Sequence, residues 1–212
     1  PAPTKEFGSA LLRTTGPAEF VSAWGSVSVA ASEEELFKAA KKEFVPPEAR
    51  DLPGKGKKLL EEKDIKGVFH LHTKWSDGKN TLEEMAAAAV ELGYEYLGVS
   101  EHSQTAFYAN GLDAERVVEQ RKEIDRLQEK FPSLRIFHGI ESDILADGSL
   151  DFPDKVLKGF DFVIASVHGQ MRMSVEEMTR RICGALAHPA TTWLGHWSGR
   201  LVLGREGYRF DH

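Results

Sequence analysis

The sequence contains a single cysteine, Cys183, and therefore has no means of forming an internal disulfide. Its neighbours Ile182 and Ala185 are typical of an unreactive thiol on a helix face. The sequence also lacks any apolar run of about 18 residues, so we expect no membrane span. No signal peptide with a basic start and an apolar stretch opens the chain. These absences together predict an intracellular, cytoplasmic protein.

Three common signatures are also missing: a P-loop, a glycine fingerprint for dinucleotides and a Ser–His–Asp arrangement. Residues 54–57, Gly-Lys-Gly-Lys, have neither the spacing nor the preceding strand of a P-loop. The formal net charge of −6 argues against a strongly basic protein that coats nucleic acid, while leaving a local basic groove open. The length of 212 residues suits one substantial core with a small appendage.

The strongest positive signal is a pair of histidines, His70 and His72, followed by Asp77 and Gly78. Alternate residues of an extended strand point to the same side, so both imidazoles can face one cation. Ser76, Asp77 and Gly78 predict a turn that returns a carboxylate over the strand end. The alternative is two half-buried strand histidines beside an ordinary turn.

From residue 65 onward the pattern alternates between strands and helices. The predicted strands are 67–71, 94–100, 134–140, 160–167 and 191–195. The predicted helices in this part are 81–92, 113–131, 155–157 and 174–186. In residues 1–60, the helices expected are 7–14 and 32–44, with residues 54–58 as a flexible linker. Parallel strands that alternate with helices are typical of an α/β barrel.

A histidine or carboxylate recurs at or just after the end of each predicted strand. These residues are His102, Glu141, His168 and His196, in addition to the histidine pair of the first strand. Since the functional site of an α/β barrel lies at the carboxyl ends of its strands, we expect them to converge on one metal centre. For each of them, the alternative is a loop or core residue without a ligand role.

Three neighbouring residues are weaker candidates. His188 precedes a proline in a helix-to-strand connection, so His196 is preferred for the same role. His138 lies within a strand and is interpreted as a packing or surface residue. Asp143 falls on the same strand side as Glu141 and is a candidate for holding a ligand in place. Mixed imidazole and carboxylate ligands suit Mn, Zn or Fe, and closely spaced ions suit phosphoester hydrolysis.

These residues resemble a PHP (polymerase and histidinol phosphatase) domain, most closely that of bacterial family X DNA polymerases. The similar segments are His70-Leu71-His72 through Ser76-Asp77-Gly78, Ser100-Glu101-His102 through Gly111-Leu112, Gly139-Ile140-Glu141 through Asp151-Phe152, Ser166-Val167-His168, and Leu194-Gly195-His196 through Gly199-Arg200-Leu201. The resemblance covers residues 64–211. It implies a distorted (βα)7 barrel at 64–212, incomplete at its C-terminal end and preceded by a small, mostly helical segment.

The resemblance also implies a ligand set of nine residues around up to three divalent ions, most often Mn²⁺, with Zn²⁺ or Fe²⁺ as alternatives. Seven positions match: His70, His72, Asp77, His102, Glu141, His168 and His196. In the implied arrangement Glu141 bridges two ions. The implied ligands of one ion are His70 and His72, and those of the second are His168 and His196. Asp77 and His102 are implied for the third.

Two features depart from the family pattern. Glu101 stands where an aspartate usually precedes the histidine, and Trp197-Ser198 replaces a Pro-Thr pair. The other two ligands of the family belong to an Asp-x-His near its C-terminus, which Asp211-His212 does not match. We therefore expect an internal fragment of a longer protein, with weakened metal positions and impaired activity.

Residues 1–60 resemble the last part of the polymerase portion of the same family, without its catalytic aspartates. The expected function is metal-dependent hydrolysis at DNA 3′ ends, whether gapped or single-stranded, by the 3′–5′ exonuclease module of a repair polymerase. In this interpretation Glu141, His70 and His72 are catalytic, and Arg200 either contacts a substrate phosphate or is a surface residue. The alternatives are a small-molecule phosphatase of histidinol-phosphate type and a non-catalytic module that metal stabilises.

Overall fold

The computed structural model describes residues 3–51 and 59–211. The chain divides into two compact units, Pro1–Asp64 and Ile65–His212. The linker expected at residues 54–58 lies outside the described residues, as does His212. Within the described part of the chain, no helix combines the length and the apolar character needed to cross a membrane.

The Pro1–Asp64 unit is helical. Its helices are α1 (Phe7–Thr14), α2 (Ala18–Ser22) and α3 (Glu33–Ala39). The prediction of a helix at 7–14 is confirmed, α2 was not predicted, and the helix expected at 32–44 is wrong at its C-terminal end. It ends at Ala39 because Lys41 adopts a left-handed backbone (φ 54°), which no helix continues through.

The small core of this unit contains Leu12, Leu36 and Phe37, which are buried. In the same unit, the carboxylate of Glu33 and the guanidinium of Arg50 form a buried ion pair with an N–O distance of 2.9 Å. Ser32 caps α3, since its hydroxyl accepts a hydrogen bond from the Glu35 backbone N–H at 3.3 Å.

In the Ile65–His212 unit, five parallel strands form a single curled sheet in sequence order. The strands are β1 (Gly67–Leu71), β2 (Tyr96–His102), β3 (Arg135–Asp143), β4 (Phe162–Ser166) and β5 (Trp193–Leu194). The helices of this unit are α4 (Leu82–Glu91), α5 (Ala114–Lys130), α6 (Asp154–Leu157) and α7 (Val175–Leu186). The expected α/β class, with the sheet of a distorted barrel, is confirmed.

Capping boxes define the starts of two of these helices. Thr81 begins α4 and Ser174 begins α7, each through a complete capping box with the glutamate three residues later. Apolar side chains of the helices pack against the sheet in two buried clusters, one around Val99 and Ile136 and one around Ile140. The helices therefore cover the sheet and leave its carboxyl-end edge free for polar side chains.

Except in β1, the strand boundaries differ from the predictions by one to three residues at each end. Strand β2 continues through His102 and β3 continues through Asp143, beyond the predicted ends. Pairing with the neighbouring strand explains the difference, because His102 lies opposite Glu141 and Asp143 lies opposite Ser166. Polar residues that look like the start of a loop are thus held in the sheet by backbone hydrogen bonds.

Candidate metal centre

The carboxylate of Glu141 lies at the centre of a cluster of histidines at the carboxyl-end edge of the sheet. The Glu141 side chain is only 1% exposed, and five imidazoles contact it. The five belong to His70, His72, His102, His168 and His196. His70 and His72 come from β1 and the loop that follows it, and the other three come from β2 and from the loops after β4 and β5, so the sheet itself assembles the cluster.

The two oxygens of Glu141 face different groups of histidines. Oε1 lies 3.1 Å from His70 Nε2, 3.3 Å from His168 Nε2 and 2.8 Å from His196 Nε2. Oε2 lies 3.1 Å from His102 Nδ1 and 3.5 Å from His72 Nε2. This division gives the carboxylate the geometry of a bridge between two sets of ligands.

The cluster contains two sets of three residues, and within each set the potential ligand atoms lie within 4.8 Å of one another. One contains His70, Glu141 and His196, and the other contains His72, His102 and Glu141. The arrangement implied by the resemblance gave one ion to both histidines of the first strand, but the distances divide that pair between the two sets. The Asp77 carboxylate contacts the second set, 3.6 Å from His102 Nε2 and 3.8 Å from His72 Nδ1.

An irregularity in β1 explains the division. Between Val68 and Leu71 the strand carries one residue more than β2, and His70 adopts a left-handed backbone with φ 63°. Such a bulge turns a side chain away from the alternation of a regular strand. His72 lies beyond the strand end, so the same-side argument for an extended strand does not describe this pair.

A buried carboxylate fixes the loop that carries Asp77. The Glu101 side chain accepts hydrogen bonds from the Thr73 backbone N–H (3.0 Å to each oxygen), the Thr73 hydroxyl (2.6 Å), the Ser76 hydroxyl and the Gln120 amide (3.2 Å). Burial raises the pKa of Glu101, and the bonds from Ser76 and Thr73 lower it in part. The glutamate that departs from the family pattern thus ties strand β2 to the turn before Asp77.

A second carboxylate orients His168. Asp143 Oδ1 lies 2.5 Å from His168 Nδ1, which directs the opposite nitrogen, Nε2, at Glu141. Asp143 Oδ2 in turn accepts from the Thr105 hydroxyl at 2.9 Å. Asp143 therefore lies beside the ligands, as its position in the strand indicated.

Asp151 supports the site and was not among the predicted residues. Its carboxylate accepts hydrogen bonds from the hydroxyls of Ser103 and Ser142, both at 2.7 Å, and from the backbone and hydroxyl of Thr105. It thereby holds together the segments that follow His102 and Glu141. A signal was present, since an Asp-Gly turn at residues 147–148 predicts a chain reversal that returns the following residues to β3. The bridge between Ile144 and Leu150 is that reversal.

Burial and mutual contact shift the pKa values of the cluster in opposite directions. Burial and, to a lesser extent, the neighbouring His102 lower the pKa of His72 to about 4. Burial opposes the charge of His168, but its contacts with Asp143 and Glu141 raise its pKa to about 9. Burial alone would raise the pKa of Glu141, yet the hydrogen bonds from the histidines hold it well below its usual range.

The residues of the cluster fit divalent metal ions. His72 Nδ1, His102 Nδ1 and Glu141 Oε2 are buried and have no hydrogen-bond partner among the described residues. A buried polar atom without a partner is costly, and a bound cation satisfies such lone pairs directly. The donor set of imidazole nitrogens and carboxylate oxygens is the one that Zn, Mn and Fe accept.

Three other candidates lie apart from this cluster. His138 belongs to β3, and its side chain is buried against α5, where its Nε2 contacts the Gln120 amide oxygen at 3.1 Å. His188 contacts Asp154 at 3.3 Å, beside a cavity of about 510 Å³ that none of the seven predicted ligands lines. Arg200 is exposed, and its described hydrogen bond joins its backbone N–H to the Ser198 hydroxyl at 3.4 Å.

Comparison of the sequence with known proteins identifies a family. The sequence profile of the PHP domain matches residues 69–194. The chain is 38% identical over 193 residues to the DNA polymerase/3'-5' exonuclease PolX of Bacillus subtilis (strain 168), covering 88% of this chain and 34% of that protein. It is 33% identical over 137 residues to a probable phosphatase of Caldicellulosiruptor saccharolyticus, covering 60% and 52% respectively.

A probable phosphatase of Clostridium acetobutylicum is 28% identical over 139 residues, with the same coverage of 60% and 52%. The chain thus spans about a third of the length of the polymerase relative and about half that of the phosphatases. The profile match includes β1 to β5 almost entirely and six of the seven predicted ligands. The seventh, His196, lies two residues beyond the end of the match. By its sequence and by the site that its sheet assembles, the chain belongs to the PHP domain family.

Proposed function

We propose that this chain is a metal-dependent phosphoesterase that hydrolyses the terminal phosphodiester at DNA 3′ ends. The observation that carries the proposal is the Glu141 carboxylate, buried among five imidazoles with its two oxygens facing separate ligand sets. The choice of DNA as substrate rests on the similarity to the Bacillus subtilis polymerase/exonuclease over 88% of this chain.

In the proposed site, His70, His196 and Glu141 hold one ion, and His72, His102 and Glu141 hold another. Divalent ions of this kind supply Lewis acidity, which activates water and neutralises charge on a phosphate. We propose Mn²⁺ for both positions, since the mixed nitrogen and oxygen ligands suit it.

The surrounding residues give each ligand its orientation. In a metal-bound site Asp143 would accept from His168 Nδ1–H, which would leave the lone pair of Nε2 for an ion. Asp77 extends the second ligand set toward solvent, because half of its side chain is exposed. We assign to Arg200 the contact with a substrate phosphate, since it is exposed on the loop that follows His196.

The test is Mn²⁺-dependent release of nucleotides from a 3′-labelled single-stranded oligonucleotide. His72→Ala removes a ligand of the second set, whereas His188→Ala removes a histidine that lies apart from the cluster and serves as the matched control. We expect release by the wild type and by His188→Ala, and a loss of at least about 100-fold in His72→Ala. Equal rates in His72→Ala and the wild type would refute the assignment.

A small-molecule phosphatase is the second candidate, because several relatives are probable phosphatases. Hydrolysis of histidinol phosphate, compared with that of the oligonucleotide at equal enzyme and Mn²⁺ concentrations, separates the two. A preference for histidinol phosphate would favour the phosphatase. Stabilisation by Mn²⁺ with turnover of neither substrate would instead favour a structural module.

A further inference from the structure

The loop between β2 and α5 is a rigid segment at the edge of the site. Its backbone closes on itself, since the Ala106 N–H donates to Ser103, the Gly111 N–H donates to Ala106 and the Leu112 N–H donates to the carbonyl of His102 at 2.8 Å. Ala106 and Ala109 are buried. A Cβ on Gly111 would lie 1.9 Å from the Ser103 carbonyl oxygen, so the loop packs too closely for another residue there.

Side chains from other elements hold the same loop. The Asn110 amide donates to the Trp75 carbonyl at 3.1 Å, and Asn110 itself has a left-handed backbone with φ 54°. The Arg116 guanidinium donates to the carbonyls of Asn110 (2.9 Å) and Gly111 (3.2 Å). The loop is therefore fixed on the side of α5 and on the side of the turn that carries Asp77.

This rigid loop places two large aromatic side chains in solvent. Phe107 is 86% exposed and Tyr108 is 73% exposed, although both belong to the same short 3-10 turn as the buried Ala109. Successive residues of such a turn point in directions about 120° apart. Exposed aromatic rings on a loop held by hydrogen bonds are characteristic of contact surfaces. Covering such a ring removes a large apolar area from water, and this favours binding.

Only one of the two rings has a described contact with the candidate metal centre. The centroid of the Tyr108 ring lies 6.2 Å from that of His102, which belongs to the second ligand set. Burial raises the pKa of Tyr108, and the negative charges of Asp143 and Glu141 raise it further, as expected for a ring at the mouth of this site. The ring thus lies beside the centre, where a planar group attached to a bound phosphate could contact it.

We propose that Tyr108 is a specificity-determining residue that stacks on the base of the 3′-terminal nucleotide. The inference rests on the proposed function, which places a phosphodiester of DNA at the same centre. A base has a flat π-face at the end of a short sugar-phosphate link, and aromatic side chains bind single-stranded nucleic acid by stacking on such faces with little sequence preference. Tyr108 thereby distinguishes nucleotide ends from phosphoesters that carry no planar group.

The test compares two single-stranded oligonucleotides that differ only at the 3′-terminal residue, which carries thymine in one and is abasic in the other. The quantity measured is the ratio of kcat/KM for the two in Mn²⁺. Stacking on one base corresponds to roughly 5- to 100-fold in affinity, so we expect the wild type to prefer the thymine end by a factor in this range. In Tyr108→Ala the ratio falls to about 1, through KM and not through kcat.

Two control variants make the assignment specific. Tyr108→Phe keeps the ring and retains the wild-type ratio. Phe107→Ala removes the equally exposed neighbour, which has no described contact with the ligands, and also retains the ratio. A wild-type ratio near 1, an unchanged ratio in Tyr108→Ala, or the same loss in Phe107→Ala would overturn the proposal.

The two proposals fail in distinguishable ways. If the wild type hydrolyses neither oligonucleotide, the proposed function is contradicted. Fluorescence anisotropy with 5′-fluorescein-labelled versions of the two oligonucleotides then gives the ratio of their dissociation constants. The role of Tyr108 is judged from this ratio in the wild type and the variants, with the same outcomes as for kcat/KM. If the wild type binds neither oligonucleotide, both proposals are wrong.

Discussion

We predict that the Ile65–His212 unit loses stability in mild acid, because the unfolded chain binds a proton at His138 that the buried imidazole of the folded unit does not accept. The Glu101 carboxylate only accepts hydrogen bonds, so the Gln120 amide group points its N–H at Glu101 and its oxygen at His138. His138 must therefore carry its proton on Nε2. Its Nδ1 is buried without a hydrogen-bond partner among the described residues, so a second proton there would be unsatisfied.

The size of the effect follows from the pKa. Burial and, to a lesser extent, the nearby Arg121 lower the pKa of His138 to about 3, with Asp161 opposing them. In the unfolded chain the pKa of a histidine is about 6.5. Because the folded value is the lower one, the stability is complete above pH 6.5 and is lost as the pH falls toward 3. Between pH 7 and pH 4.5 the loss from this residue is about 2.5 kcal/mol.

The assay is urea unfolding at pH 7 and at pH 4.5 for the wild type and for His138→Gln. Glutamine still donates to the Gln120 oxygen but does not titrate. A Trp24→Phe background removes the tryptophan of the Pro1–Asp64 unit, so that fluorescence reports the unit with the sheet. Other acidic and histidine groups titrate equally in both proteins and cancel in the comparison.

We expect His138→Gln to lose about 2.5 kcal/mol less than the wild type between the two pH values. Equal losses in the two proteins would refute the reasoning. A direct check is the imidazole NMR titration of His138, which should show no protonation of the folded protein at pH 4.5.

Three further predictions concern carboxylates. Asp143→Asn should weaken Mn²⁺ binding by about 10- to 100-fold in isothermal titration calorimetry, because His168 loses its orienting acceptor; an unchanged affinity would contradict this role. Glu101→Ala should lower the free energy of unfolding by at least about 3 kcal/mol, since several buried donors lose their acceptor, and a loss below 1 kcal/mol in urea unfolding would argue against the network. Glu33→Ala should cost the helical unit about 3–5 kcal/mol by leaving Arg50 buried and unpaired, and urea unfolding with little change in midpoint would show that the ion pair contributes nothing.

Much of the barrel-type sheet was predictable from the sequence, because its strands are short apolar runs between capped helices. The predicted starts at residues 81 and 174 lie within one residue of the observed starts of α4 and α7, where Thr81 and Ser174 are the caps. The residues His102, Glu141, His168 and His196 were singled out by their position after such runs. The structure brings their side chains together because parallel strands present their carboxyl ends at one edge.

The details that the sequence did not predict depend on contacts between distant segments. The left-handed backbone of His70 is imposed by the pairing of β1 with β2, and no local preference of histidine indicates it. Asp151 is recognisable as a support only when Ser103 and Ser142 are known to lie beside it. The short helix α2 was missed because a five-residue segment shows too little periodicity.

The pairing of His102 with Glu141 across neighbouring strands has a consequence for how such a site changes over evolution. Adjacent strands lie about 4.8 Å apart, so side chains in the same row of a sheet are already at a spacing that a shared cation spans. The backbone ladder that fixes this spacing does not depend on which side chain occupies each position. A single substitution in the row therefore alters the ligand set of one ion while the strands keep their places, and one scaffold has access to many metal chemistries in small steps.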